Sequence, residues 1–378
     1  MGCCQKKKQE KLIDKDDSKE SEESIKNESN IKLKISDFVV ITLLGEGSFG
    51  DVFLVRYINN NNIYAMKKLS KQKLKLKNQV EHTKNERNLM VKLNCPFLLN
   101  IKFAFQDESK LYLVSEFMQG GDLYYHLKKE KNFTDEKARF YIIEIILGLE
   151  FLHKNKIIYR DLKPENILLD SEGHIKISDF GISKILKDHN EKAFTMCGTP
   201  QYLAPEVIIN KGYDNTVDWW SLGCLLYEML TGNKPFNISK ENKINPKVYE
   251  EKIDYPEDMN SIAVNLIKKL LVVNPKQRLG YGDNDAKKIK NHKYFEGVDW
   301  DKYYNKDIEP PFIPDLNGET DLKYFETFYN DENSFSNRPT IISKSRQTEF
   351  NDFTYVTHSL ENDPNKNIGT KSTIEEET

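Results

Sequence analysis

Several short segments of this chain carry side chains whose types and spacing suit the transfer of a phosphoryl group. Tyr159-Arg160-Asp161-Leu162-Lys163-Pro164-Glu165-Asn166 sets a carboxylate, a lysine and an amide in one loop. In such a loop Asp161 orients a hydroxyl and accepts its proton. Ser178-Asp179-Phe180-Gly181 follows, and Asn166 and Asp179 together offer hard oxygens to Mg²⁺ bridging the phosphates of ATP. The ions would neutralise charge that otherwise repels the nucleophile. Ala204-Pro205-Glu206 closes the series. An isolated Asp in a loop is usually a turn residue or a helix cap, so the weight rests on the order of the motifs.

Upstream, Gly45-Glu46-Gly47-Ser48-Phe49-Gly50 precedes Asp51 and Val52, and its glycines let a backbone approach phosphates with its N–H groups. The same spacing marks dinucleotide sites, but those need a helix after the glycines, whereas Asp51-Val52-Phe53-Leu54 reads as a strand. By itself the segment could equally be a glycine-rich hairpin. Lys67, on the third strand, and Glu86, on the following helix, complete the set. An ion pair between them would hold the ammonium against the α- and β-phosphates. Either residue alone would pass for a solvated surface charge.

The elements that must position these groups follow from periodicity. From Phe38, VVITLL, a Gly-rich turn, DVFLVRY and NIYAMKKL read as three short antiparallel strands. A helix over VEHTKNERNLMVKL places Val80, Thr83, Leu89 and Met90 roughly on one face, and LLNIKFAFQD and KLYLVSEFM supply two more strands. Five strands and one helix make a small lobe. After Gly120-Gly121 the pattern turns helical, notably over KARFYIIEIILGLEFLHKN and TVDWWSLGCLLYEMLTG. The expected fold class is therefore α+β and bilobal, a small antiparallel-sheet lobe beside a larger helical one. The expected divisions are a disordered arm over 1–37, a catalytic domain over 38–295, a tail over 296–355 and a disordered C-terminus over 356–378.

Composition bounds the alternatives. The 378 residues are 38% hydrophobic and 30% charged, and no apolar run reaches the roughly 18 residues of a membrane span. A net charge of −3 gives no global field to recruit nucleic acid. The five cysteines show no zinc-type pairing, and their odd number without a secretory signal predicts reduced thiols in the cytoplasm. Residues 5–30 are almost wholly polar and cannot bury enough apolar surface to order themselves.

Residues from about 38 to 355 resemble the AGC group of serine/threonine protein kinases. The resemblance rests on Tyr159 before Arg160-Asp161 and on the run from Thr195 through Gly198-Thr199-Pro200 to Glu206. Pro310-Pro311-Phe312-Ile313-Pro314, Tyr324-Phe325 and Phe350-Asn351-Asp352-Phe353-Thr354-Tyr355 resemble that group's wrapping tail. The last element is similar to the S6-kinase, serum/glucocorticoid-regulated-kinase and protein-kinase-B branches. The resemblance implies that Leu44, Val52, Ala65 and Leu168 line an adenine slot. Glu116 and Met118 would present hinge backbone, Ser115 would guard the rear of the slot, and Phe325 would complete it. Lys163 and Thr199 are expected beside Asp161, and Glu206 is expected to clamp Arg278. Glu165 and Glu228, with Asp122 as a third, would face arginines upstream of the target hydroxyl. A pseudokinase scaffold is the rival class, although Lys67, Asp161 and Asp179 are all present. A cyclic-nucleotide-dependent-kinase-like catalytic subunit is the alternative within the class. The chain is expected to be a monomer.

Regulation is expected at Thr195 and Thr354. A phosphate on Thr195 would draw together Arg160, Lys184 and His82, and the resemblance implies a phosphoinositide-dependent-kinase-like enzyme as its source. Phe350 and Phe353 are spaced to plug a groove beside Lys71 and Leu74, where a phosphate on Thr354 would strengthen docking. Ser334 and Ser336 are further tail candidates. Met1-Gly2-Cys3-Cys4 before Lys6-Lys7-Lys8 predicts N-myristoylation at Gly2, palmitoylation at Cys3 or Cys4, and contact with anionic lipid, although Lys6 replaces the usual Ser or Thr.

Overall fold

The computed structural model of the chain describes residues 33–47, 50–188, 191–238, 246–282, 285–325, 350 and 352–357. The small lobe begins with β1 (Phe38–Glu46), β2 (Gly50–Tyr57) and β3 (Ile63–Ser70), paired antiparallel as expected. Along β3, Tyr64, Met66 and Lys68 are buried while Ala65 and Lys67 are half-buried on the opposite face. The two-residue period of a strand thus aims Ala65 and Lys67 at one side of the sheet together.

The chain then forms α1 (Lys71–Leu76), which the sequence reading did not foresee. Ser70 caps it, its side chain accepting a hydrogen bond from Lys73 N at 3.4 Å. The expected helix is α2 (Val80–Lys92), and it buries Thr83, Glu86, Leu89 and Met90. That face carries Glu86 inward with the apolar residues; Val80, at the first position, is only half-buried. β4 (Ile101–Gln106) and β5 (Lys110–Glu116) follow. The sheet has six strands rather than five, in the order β1-β2-β3-β5-β4-β11, because β11 (Tyr355–Val356) joins it at the end of the tail. Both expected disordered boundaries are therefore corrected, since Val356 is buried in this strand and Ile35–Asp37 form a 3-10 turn ahead of β1.

The large lobe contains β6 (Gly121–Asp122), α3 (Leu123–Glu130), α4 (Asp135–Lys154) and β7 (Ile157–Ile158). β8 (Ile167–Leu169), β9 (Ile175–Ile177), β10 (Lys184–Ile185), α5 (Pro205–Ile208) and α6 (Thr216–Thr231) come next. α7 (Ser261–Leu270), α8 (Asp285–Lys290) and α9 (Trp300–Tyr304) complete it. α4 and α6 are buried nearly all round, which is why both read as apolar over several turns. One apolar cluster runs from Leu89 and Leu113 in the small lobe through Ile146 to Leu225, so the two lobes share a core. Arg278 clamps Glu206 through a bidentate pair of 2.6 and 2.9 Å, both side chains buried. Among the described residues no helix is long and apolar enough to cross a membrane.

Candidate active site

Between the lobes lies a cavity of about 370 Å³. Its apolar walls include Leu44, Val52, Ala65 and Leu168, as expected for a flat heterocycle, with Met90, Leu99, Ile101 and Leu113 added at the rear. Ser115, Glu116 and Met118 line it where β5 leads into the large lobe, and Phe325 reaches in from the tail. Phe325 is held there by stacking on Phe117, ring centres 5.4 Å apart. The Glu116 side chain pairs with Lys176 at 2.9 Å, which bridges the two lobes. Neither Phe117 nor Lys176 belongs to a recognisable motif, and both were missed.

At the polar end of the cavity Lys67 Nζ donates to Glu86 Oε1 at 2.6 Å. Burial alone would lower the Lys67 ammonium, but the Glu86 and Asp179 carboxylates outweigh it and hold it above the ordinary lysine value. In return Lys67 holds the Asp179 carboxyl below the usual range despite its burial. Asp179 sits at φ +53° and its Oδ1 accepts from Gly181 N at 3.3 Å, so the turn aims the carboxylate into the cleft.

Asp161 lies at the centre of a second network. Lys163 Nζ donates to its Oδ2 at 2.8 Å and Thr199 Oγ1 to its Oδ1 at 2.8 Å, while Lys163 also reaches Thr199 Oγ1 at 3.1 Å. Asn166 Nδ2 donates to the Asp161 carbonyl and to Oδ2, both at 2.9 Å, which leaves the amide oxygen of Asn166 for a cation. The loop is fixed from below: Asp218 accepts from the backbone N–H of Tyr159 at 2.9 Å and of Arg160, at φ +74°, at 2.8 Å. His153 in turn donates to Asp218 at 2.8 Å. Asp218 and His153 were also missed, since the only trace in the sequence is a charge inside an apolar helix.

Where β1 gives way to β2, Gly47 N donates to Gly50 O at 2.8 Å. A Cβ on Gly50 would fall 1.7 Å from the Lys68 carbonyl, so only glycine fits against β3 there. Gly45 lines the cavity; Glu46, Gly47, Gly50 and Asp51 do not, and Ser48 and Phe49 lie outside the described residues.

The remaining expected residues are spread around this centre. Asp122 lines the cavity and also caps α3, accepting from Tyr125 N at 2.7 Å. Glu165 is exposed, whereas Glu228 is buried and paired with Lys234 at 3.0 Å. Arg160 Nη1 donates to Tyr213 OH at 3.0 Å, which donates to the Thr195 carbonyl at 2.6 Å. Lys184 pairs with Glu191 at 3.3 Å and His82 bonds Gln79, so of the three candidate phosphate partners only Arg160 is joined to the exposed Thr195, and through Tyr213 rather than through the Thr195 side chain. Phe350 and Phe353 are buried, Lys71 Nζ lies 5.5 Å from the Phe350 ring centre, and Arg87 donates to the Thr354 carbonyl at 3.0 Å. Gly2, Cys3, Cys4, Ser334 and Ser336 lie outside the described residues.

This arrangement matches a known family. The protein kinase domain model matches residues 38–295. A RAC family serine/threonine-protein kinase homolog of Dictyostelium discoideum is 44% identical over 336 residues, covering 87% of this chain and 74% of the relative. Ribosomal protein S6 kinase 2 alpha of Gallus gallus is 41% identical over 374 residues (95% and 50%), and ribosomal protein S6 kinase alpha-1 of Homo sapiens is 42% identical over 334 (88% and 45%). The chain thus spans about half the length of the S6 kinases it matches. It belongs to the protein kinase family and, within it, to the AGC group of serine/threonine kinases.

Proposed function

We propose that this chain transfers the γ-phosphate of Mg-ATP to serine or threonine hydroxyls of protein substrates, favouring basic residues upstream of the target. The Asp161 network beside the Lys67–Glu86–Asp179 cluster is the observation that carries this reading. One carboxylate and one amide oxygen suit Mg²⁺, which keeps waters and takes most of its other ligands from phosphates. When bound, the ion would neutralise charge on the transferring group. Lys67 holds phosphate oxygens, Asp161 orients the hydroxyl and takes its proton, and Lys163 steadies the charge that develops between them. The apolar walls hold the base, with Phe325 closing the outer side.

The test is Mg-dependent labelling of a basic serine peptide by purified protein, with Asp161→Asn as control. Equal labelling by both would sink the assignment.

Activation by phosphate on Thr195 and Thr354, delivered to Thr195 by a phosphoinositide-dependent-kinase-like enzyme, is supported by Arg160, joined to the Thr195 carbonyl through Tyr213, and by the docked phenylalanines before Thr354. The expected outcome is near-loss of activity in Thr195→Ala after co-expression with such a kinase; full activity would end this part. A cytoplasmic monomer, held at membranes through acylated Gly2 with Cys3 or Cys4 and the following lysines, completes the proposal. Unmodified Gly2 by mass spectrometry, with purely soluble fractionation, would remove the anchor.

A further inference from the structure

Glu228 and Glu165 are alike in charge and expected role, but their surroundings differ. The Glu228 side chain on α6 is only 7% exposed. Both its oxygens are taken from within the chain: Lys234 Nζ donates to Oε1 at 3.0 Å and Tyr202 OH donates to Oε2. Lys234 Nζ also donates to Tyr202 OH at 3.0 Å and lies 4.8 Å from the ring centre. Three side chains thus close a ring of hydrogen bonds whose outward part is the lysine, 33% exposed.

Lys234 is held in place from both sides. Before it, Thr231 Oγ1 accepts from Asn233 N at 3.1 Å and Gly232 turns the chain at φ +71°. After it, buried Phe236 stacks on Trp220 with centres 5.4 Å apart. Glu165 is exposed, and among the described residues no cation pairs with it. It lies close enough to Tyr202 for its charge, after that of Glu228, to help burial raise the Tyr202 hydroxyl. Glu228 is thus bonded to Tyr202 and neutralised by Lys234, while Glu165 stands open.

An arginine arriving at Glu228 would meet an ammonium already seated on the carboxylate. Like charges placed together suppress a partner as effectively as missing contacts do. We propose that Lys234 is a specificity-determining residue: it serves as the internal counter-ion of Glu228, so that upstream arginine is read by Glu165 and not by Glu228. This rests on the basic-directed reading above and narrows it.

A panel of serine peptides with one arginine at each upstream position tests it, scored as the KM ratio of the alanine peptide to the arginine peptide. Each ratio is taken within one enzyme preparation, so a loss of folded fraction cancels. Wild-type protein should select arginine at a position whose preference Glu165→Gln abolishes and Glu228→Gln leaves intact. Lys234→Met should add a second preferred position, a ratio of roughly fivefold to twentyfold for a freed charge pair. Lys234→Arg should not gain it, and Lys234→Met with Glu228→Gln should lose it again. An unchanged Lys234→Met profile overturns the inference, as does a wild-type preference that Glu228→Gln abolishes. Indifference of wild type to every arginine would overturn the basic-directed reading instead, whereas a Glu228-dependent gain in Lys234→Met would still support the role of Lys234.

Discussion

The cleft floor and the surface around Tyr202 are both rich in charge, but they use it differently. On the cleft floor the groups expected to act in the transfer balance one another: Lys67 by Glu86 and Asp179, Asp161 by Lys163. Around Tyr202 the carboxylate of Glu228 is balanced by Lys234, which no motif names. Asp122, also expected to meet substrate, serves as a helix cap. A catalytic centre has to be organised before substrate arrives, so its charges are mutually satisfied. A recognition surface can be adjusted by a single neighbouring residue.

The largest expected effect breaks the cleft side of this contrast. Asp161→Asn should lower kcat by about 10²–10⁴-fold while nucleotide affinity, read by fluorescence titration, stays near wild type. A parallel loss of nucleotide binding would mean that Asp161 holds the loop rather than the proton.

The second concerns the scaffold beneath the cleft. His153 lies between Asp218 and Asp285, at 2.8 and 2.7 Å; burial pulls its pKa down, but hydrogen bonds to the two carboxylates prevail and raise it to about 9. Because the folded value exceeds the unfolded value of about 6.5, the folded state binds more protons between them. This contribution is fully present below about pH 6.5 and is lost as pH rises through 9, about 3 kcal/mol in all. Thermal midpoints across pH 6–10 should fall in wild type and flatten in His153→Asn. Parallel slopes would remove His153 from the scaffold.

A smaller effect probes the cavity's rear. Ser115 leaves room there, so Ser115→Met should weaken bulky ATP-competitive inhibitors by about 1–3 kcal/mol through overfilling. Equal inhibition of both proteins would show that the space is not used. The smallest lies farthest from the chemistry. Phe353→Ala should reduce activity by roughly fivefold, the low end of coupling between distant sites. Full activity would uncouple tail docking from the cleft.

The sequence disclosed the cleft because its residues are tied to fixed local shapes. Gly50 must lack a side chain against β3, and Asp179 must sit in a tight turn, so type and spacing survive as readable strings. Both lobes were legible for a similar reason, since strand alternation and long apolar helices follow from which face is buried. What stayed hidden depends on pairs distant in the chain. Lys176 meets Glu116 and Phe117 meets Phe325 only after folding, and the local pattern around each is ordinary. α1 was missed because six residues, four of them polar, give too short a period to detect. The tail's sixth strand was hidden too, because β11 contributes only two residues.

That strand also has a protective consequence. β4 would otherwise be the rim of the sheet, with backbone N–H and C=O groups facing outward beside a strip of Phe103 and Phe105. Tyr355 and Val356 pair with Ala104 and Phe103, and Thr357 N donates to the Lys102 carbonyl at 3.0 Å, which covers that rim. An uncovered rim is a template for a neighbouring molecule's strand. The same few residues that seat the tail therefore cover the edge along which one copy of the small lobe could pair with the next, so release of the tail would lay that edge open.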